Sequence, residues 1–530
     1  MASTSRRCFL ALALSAGASA GVPAPAAAEP AQGVVWPESQ ALPWFSPPER
    51  LDVLDLVAAG PDEQILAASL QGSVNRRRPR IYLLQPSSEG PETWLRTLGV
   101  PYEQAPDLYA LVARYRAELR GLVVPDPAVP ATRNLATTFA GLHDALVAAP
   151  AHLERLTSPP YSLPVLADLR GRFADNAAAY AWAVAELWPR ATHRMLVGLD
   201  HAGFHGYLRE YAVANRAFVW WGNPAVAAER TLLGRLLADL PPNSPYLGWW
   251  PADVAGESDG TELVSRHSGY VVAADWSLNL SVFGGVRAPV RPEQPPLPVP
   301  PLRDRVYVTF TVTDGDNLQY NQHRMRVLWD DPARGQVPLN WTISPLLLDA
   351  GPAMLAYYQR TATAADLLVA GPSGAGYAYP TPWPDETFRA FTRQTGRYMR
   401  LTGLRIVNVL NRVGRRDVDP TPAEMRALAA DVQPLGIMLH WTNRYGTSVV
   451  AGVPVVTGRL VFTAEEARAV LAQAAASPRR PLFVSIGVLA WTMTPADVAA
   501  VAAELDERYA VVRGDQFFAL LRRAHGLAPT

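Results

Sequence analysis

Lysine is absent from this chain of 530 residues; apart from histidine, every basic side chain is arginine. That removes a Schiff-base lysine, a phosphate-loop lysine and a serine–lysine dyad. Cysteine is nearly absent as well. The single thiol, Cys8, falls in the leader discussed below. Beyond it there is no disulfide, thiolate zinc site, iron–sulfur cluster or cysteine nucleophile, and stability rests on packing. Neither charge sign is in excess, since 48 basic residues balance 48 acidic ones. This argues against nucleic acid or an anionic membrane surface as partner. After the leader no apolar run reaches the roughly 18 residues that a membrane span needs. Internal repeats are also lacking, and oligomeric state leaves no signal.

What is present suits about two to four globular domains, with 49% hydrophobic and 18% charged residues. Residues 1–28 read as a signal peptide. Ser5-Arg6-Arg7-Cys8-Phe9-Leu10 resembles a twin-arginine export motif, an apolar run from Phe9 to Leu14 follows, and small residues offer cleavage after Ala20 or Ala28. The expectation is an exported protein, periplasmic or extracellular.

Prolines at 289, 292, 295, 296, 298, 300 and 301 mark a linker over 289–301, because such a run favours extended geometry and cannot pair in a sheet. Before it, residues 30–288 read as a mixed α/β domain, in two lobes, with a helix over Ile65–Val74 and strands at Arg80–Leu84, Arg194–Leu199, Phe218–Trp221 and Tyr270–Ala274. After it, residues 302–530 alternate strands and helices. Strands are expected at Val306–Val312, Leu339–Ile343, Leu367–Ala370, Ile406–Leu410, Gly436–His440, Val453–Thr457, Leu482–Ile486 and Ala510–Val512. Helices are expected at Asp349–Thr361, Pro384–Met399, Thr421–Ala430, Thr463–Ala475 and Pro495–Glu507, with a capping box at Thr463/Glu466 and Thr494 before Pro495 as an N-cap. About eight such units fit a (β/α) barrel of seven or eight strands, the last irregular; an open parallel sheet is the alternative.

The most specific stretch is Gly374-Ala375-Gly376-Tyr377-Ala378-Tyr379-Pro380. Two glycines admit close backbone approach at an entropic cost, and tyrosines two apart share a face when extended. A phosphate loop is disfavoured, because Tyr and Pro stand where a helix should begin. The heptapeptide resembles the signature of the GxGYxYP glycoside hydrolase family at every fixed position. Supporting stretches run along the chain: Leu70–Arg76, Pro79–Leu83, Tyr211–Asn215, Gly248-Trp249-Trp250-Pro251, Asp275-Trp276, Asn279-Leu280-Ser281, Thr313–Asn317 and Asp515–Phe518. Ser73 departs from the apolar residue expected there. The resemblance implies a secreted, carbohydrate-active protein with a C-terminal barrel and a dedicated N-terminal domain.

Glycoside hydrolysis ordinarily takes two carboxyl groups, and in a barrel they sit after the C-terminal ends of strands. Asp314 and Asp316 follow Val306–Val312; Asp515 follows the last strand and is the candidate partner, or else a helix cap. A turn in which the aspartates cap backbone is the plain alternative for the pair, and a calcium loop fails at Leu318. Asp349 reads as an N-cap. Candidate sugar contacts are Asn317, Gly374, Gly376, Tyr377, Tyr379, Asn411, Arg412, His440, Trp441 and Trp491, amides and rings recurring at successive strand ends. Of these, His440 has a satisfied, half-buried histidine as its plain alternative, Tyr377 and Tyr379 could both pack inward as core, and Trp491 has a core-packing alternative more readily than Asn411. Ser373 misses a nucleophile elbow, because Ala375 stands where glycine is required. His201 and His205 would make an i, i+4 pair if helical, without a third ligand.

The resulting expectation is a glycoside hydrolase acting on a polysaccharide or oligosaccharide with a carboxylate pair and no cofactor or metal. Two alternatives remain. One is a metal-dependent carbohydrate deacetylase using Asp314 or Asp316 with His323 or His440; the other is a non-catalytic carbohydrate-binding protein, since no glutamate stands at an expected strand end.

Overall fold

A computed structural model describes residues 33–251 and 254–528; the expected leader lies outside them. The N-terminal part carries three parallel sheets in succession, one more unit than the two lobes expected. Leu51–Asp55 is flanked by Ile81–Leu84 and Tyr102–Gln104, and Gly121–Val124 by Ala145–Val147 and Val165–Asp168. The third sheet has the order Phe218–Trp220, Leu196–Gly198, Pro245–Gly248, Tyr270–Val272. Arg76, buried at the end of the helix Pro61–Asn75, ties the three units together. Its guanidinium donates to Gly141 O (2.7 Å), Val213 O (2.6 Å) and Ala214 O (3.0 Å) and pairs with Asp144. Most of its donors are thereby used on backbone carbonyls at element ends.

The C-terminal part is a closed barrel. Its strands are β1 (Val306–Val312), β2 (Leu339–Ile343), β3 (Asp366–Ala370), β4 (Ile406–Asn408), β5 (Gly436–Leu439), β6 (Val453–Val461) and β7 (Leu482–Val488), each parallel to its neighbours. An eighth strand, β8 (Tyr509–Val511), pairs only with Val306–Val308, while Phe310–Val312 pair with β2. The ring therefore closes with seven strands, and β8 is wedged into the base between β1 and β2. A ten-residue strand absent from the expected set, Trp441–Val450, lies antiparallel on β6; its polar, glycine-containing sequence reads as a loop.

Alternation along the strands sorts the barrel interior into two layers. Toward the base, Tyr307, Leu367, Ile406, Met438, Val456 and Phe483 meet Phe517 and Phe518 of the helix Gly514–Ala524, which plugs that end. Toward the C-terminal ends the inward positions turn polar: Asn340 donates to Thr309 Oγ1 (2.8 Å) and Thr311 Oγ1 (3.1 Å), and His440 sits between Asn408 and Ser485. The outward residues, such as Val308, Phe310, Trp341 and Ile486, face the helices.

The proline segment is not a free spacer. Only Ala370 of β3 pairs with β4, so the lower part of β3 faces a gap in the ring. The Gln294 side chain fills it, donating to Leu368 O and accepting from Leu368 N, both at 2.7 Å. Two expected caps are revised. The helix foreseen from Asp349 is split into Leu347–Ala350 and Pro352–Thr361 with Gly351 as N-cap; the buried Asp349 carboxylate instead accepts from Leu42 N (3.2 Å), Trp44 Nε1 (3.0 Å) and the Tyr398 hydroxyl. Thr463 caps its helix, but Glu466 reaches Phe462 N (2.6 Å), so the box is not reciprocal. Thr494 with Asp497 does form one.

Candidate functional site

A cavity of about 420 Å³ opens at the C-terminal ends of the barrel strands. Its floor comes from loops after β1, β3, β4, β5 and β7 and from the end of β6; Trp249 and Glu257, from the third N-terminal unit, form its roof.

Asp314 and Asp316 enter this cavity through a turn that only glycines permit. A Cβ on Gly315 would lie 1.9 Å from the Thr342 carbonyl carbon, and one on Gly371 would lie 2.4 Å from Asp316 N. Gly315 N donates to Thr342 Oγ1 (2.8 Å), and Asp314 adopts φ +72°, a left-handed conformation. The Thr313 hydroxyl donates to Asp314 Oδ2 (2.6 Å), and Asn317 Nδ2 to Asp314 O (3.1 Å). Burial raises the Asp314 carboxyl above its ordinary range, with hydrogen bonds from Thr313 and Trp491 pulling back. Asp316 is 4% exposed. Burial first, then the neighbouring charges of Asp314 and Glu257, push it well above the usual carboxylate range.

The heptapeptide forms the joint between the barrel and the third N-terminal sheet. Val271 N donates to Tyr377 O and Tyr377 N to Val271 O, both at 2.8 Å, so the segment adds an antiparallel bridge along the edge strand Tyr270–Val272. Both glycines have positive φ, +124° at Gly374 and +123° at Gly376. A Cβ there would lie 2.4 Å from Thr395 Cγ2 and 2.2 Å from Tyr270 Cδ2 respectively. Tyr377 and Tyr379 do share a face: their hydroxyls are 3.2 Å apart and the rings meet edge to face at 5.5 Å. Tyr377 OH donates to Glu257 Oε1 (2.8 Å), and Arg412 Nη1 reaches the same oxygen at 3.0 Å while its Nε holds Asp417 at 2.7 Å.

Asp314, Asp316, Asn317, Tyr377, Arg412, Trp441 and Trp491 thus line one cavity. The other expected residues do not, although His440 lines the cavity that adjoins it. Gly374 and Gly376 are in the joint, and Tyr379 is fully buried behind Tyr377. Asn411 is 3% exposed and clamps Thr381, accepting from its N (3.0 Å) and donating to its Oγ1 (2.8 Å), whereas Trp491 is 47% exposed at the mouth. The sequence ranked these two the opposite way. The His440 ring is spent on Asn408 (3.0 Å) and Ser485 (2.8 Å), and burial lowers its pKa to about 3, so it stays neutral in the barrel's polar layer. The Ser373 hydroxyl is spent on Ala378 O and Leu410 O. His201 and His205 lie in turns, not on a helix. His323 faces Glu89 (2.9 Å) and Trp276 O (3.0 Å). Both histidines that a metal-dependent deacetylase would recruit therefore have their nitrogens engaged elsewhere.

Asp515 lies at the opposite end of the barrel. Because β8 is short and pairs at the base, the chain leaves it among the strand beginnings. There Asp515 pairs with Arg513 at 2.7 Å and accepts from Leu297 N, while Arg513 also reaches Ala364 O and Asp366 O. Arg513 is 3% exposed, so removing the carboxylate paired with it leaves a poorly compensated buried charge. Asp515→Asn is expected to cost about 3 kcal/mol in urea unfolding and to leave turnover within about twofold. A thousandfold loss of turnover would return Asp515 to the reaction.

The residue that sequence reasoning missed is Glu257. It lies inside an ordinary helix, Val254–Arg266, far from any barrel strand. The one nearby signal is Gly248-Trp249-Trp250-Pro251, whose Trp249 stacks on Tyr377 with ring centroids 6.0 Å apart.

Fold and cavity define a multidomain protein whose (β/α) barrel carries an acidic cleft roofed by an N-terminal α/β unit. Family models match in series: residues 50–117, 119–191 and 193–285 match the first, second and third GxGYxYP N-terminal domains, and residues 304–522 match the "GxGYxYP putative glycoside hydrolase C-terminal domain". The chain belongs to the GxGYxYP family. A solved structure titled a "putative hydrolase" from Bacteroides thetaiotaomicron is similar with a TM-score of 0.81 and 20% identity, over 93% of this chain and 99% of that one, a likeness of fold. Two more distant structures are a "putative polysaccharide deacetylase" from Mycobacterium smegmatis (TM-score 0.30, 14% identity, 46% of this chain and 97% of that one) and a 4-alpha-glucanotransferase from Thermococcus litoralis (TM-score 0.30, 11% identity, 41% and 40%). Neither bears on the site at that similarity. No curated protein matches.

Proposed function

We propose that the protein is a glycoside hydrolase in which Asp316 is the general acid and Glu257 the opposing carboxylate. The observation that carries this reading is the contrast between the two groups in one cavity. Asp316 is buried beside Asp314, which favours its protonated form; Glu257 has one oxygen fixed by both Arg412 and Tyr377. Two carboxyl groups in unlike environments are what acid and base or nucleophile roles require. In this scheme the Asp316 proton passes to the glycosidic oxygen as the bond to the anomeric carbon breaks. Glu257 stabilises the positive charge that develops there, and water adds to the anomeric carbon, its hydroxyl staying on the sugar and its other proton returning to the carboxylate pair. Asp314 supports the acid through its own charge, and Asn317, Trp249, Trp441 and Trp491 surround the sugar with one amide and three indoles. The family name supports the reaction class.

The test is release of reducing ends by the full chain from a panel of plant and bacterial polysaccharides and from aryl glycosides. Hydrolysis of at least one member is expected. No product from any, at high enzyme concentration and long incubation, sinks the proposal and returns the protein to the carbohydrate-binding class.

A further inference from the structure

The carboxylate cavity is the middle of three that adjoin one another. On one flank, a cavity of about 540 Å³ shares Arg412, Trp441, Leu460 and Phe462 with it, all from the ends of β4, β5 and β6. On the other, a cavity of about 410 Å³ shares Gln319 and Trp491, from the loops after β1 and β7, and extends to Tyr207 and Trp276 of the third N-terminal unit. Among the described residues the exposed tryptophans are Trp276 (50%) and Trp491 (47%), and both line this second flank; Phe462, 48% exposed, lines the first. Large rings held in water at the walls of a cleft, with Gln319 and Arg324 among them, are a recognition surface rather than leftover core. Charge narrows the occupant. Asp417, Asp419 and Glu466 line the first flank against Arg412 and Arg459, so the groove has no excess of positive charge to receive a polyanion.

Resting on the hydrolase reading, we infer that the substrate is an extended, uncharged glycan bound across all three cavities and cut internally, with sugar rings seated on both sides of the scissile bond. A protein that trims chain ends needs a cavity blocked on one side. Here the carboxylates sit in the middle of an open run.

The first test is the ratio of viscosity loss to reducing ends on whichever neutral polysaccharide of the panel is hydrolysed (mixed-linkage β-glucan, xylan, galactomannan or starch). Internal cutting halves the viscosity while only a few percent of bonds are broken. Monosaccharide as the first product, with viscosity tracking reducing ends, overturns this inference and leaves the hydrolase reading intact. The second test needs no turnover: affinity electrophoresis of the full chain through gels containing the same polysaccharides or polygalacturonate. Retardation by a neutral polymer is expected, weakened about threefold to tenfold in Trp276→Ala. Retardation by polygalacturonate alone, by no polymer, or undiminished in Trp276→Ala overturns the groove, whatever the assay of hydrolysis shows.

Discussion

Asp316→Asn is expected to lower kcat on a natural glycan by about a thousandfold, the scale of a lost general acid, while the protein unfolds at an undiminished denaturant concentration. The amide keeps the side chain's shape but has no acidic proton to give the leaving oxygen. Two readouts separate this from general damage. A glycoside with a strongly acidic phenol as leaving group needs little protonation, so the loss on it should shrink to about tenfold or less. The pH profile should change as well. Burial and the Asp314 charge raise the Asp316 pKa, so in wild type the active, protonated form persists above the usual carboxylate range and activity falls only as pH rises through the raised value. That alkaline limb is expected to vanish in Asp316→Asn. An equal loss on both leaving groups, with the limb unchanged, would remove Asp316 from the acid role.

Gly376→Ala is expected to destabilise the chain by about 3 kcal/mol or more, the sum of a strained backbone and a collision at a packed contact. The φ of +123° admits glycine alone, and the new methyl would lie 2.2 Å from the Tyr270 ring in the strand that the heptapeptide covers. The matched control is Gly414→Ala, where φ is +53° and no atom lies within 4 Å of the added carbon; its cost should be about 1 kcal/mol. Urea unfolding of the two side by side decides the matter. Equal stability losses would mean that the segment does not lock the two parts together.

Much of the barrel was legible because its strands are short apolar runs with clear limits. β1 and β2 begin and end where the sequence places them, and residues expected at strand ends, Asp314 and Asp316 with Tyr377, Arg412, Trp441 and Trp491, do line one cavity. Three things were not legible. The sequence of β8 does not say that it pairs with only half of β1, and that pairing carries Asp515 to the end opposite the cavity. Asn411 has the composition of a sugar contact, but the tight loops at the strand ends need polar residues of their own; for His440, the satisfied, buried reading weighed beside the sugar contact is the one its two hydrogen bonds match. Glu257 has no local mark, since its place in the cavity comes from Tyr377 and Arg412 reaching it across a boundary between units.

That boundary ties the barrel to the N-terminal part. Tyr377 springs from the barrel, shares its backbone hydrogen bonds with the N-terminal sheet and touches Glu257 with its hydroxyl. Swinging the N-terminal part away would break the bridge to Val271 and withdraw Glu257 in the same motion. The protein is built like a fixed arch, not like a jaw: its opening cannot widen without breaking that bridge and parting Glu257 from Tyr377.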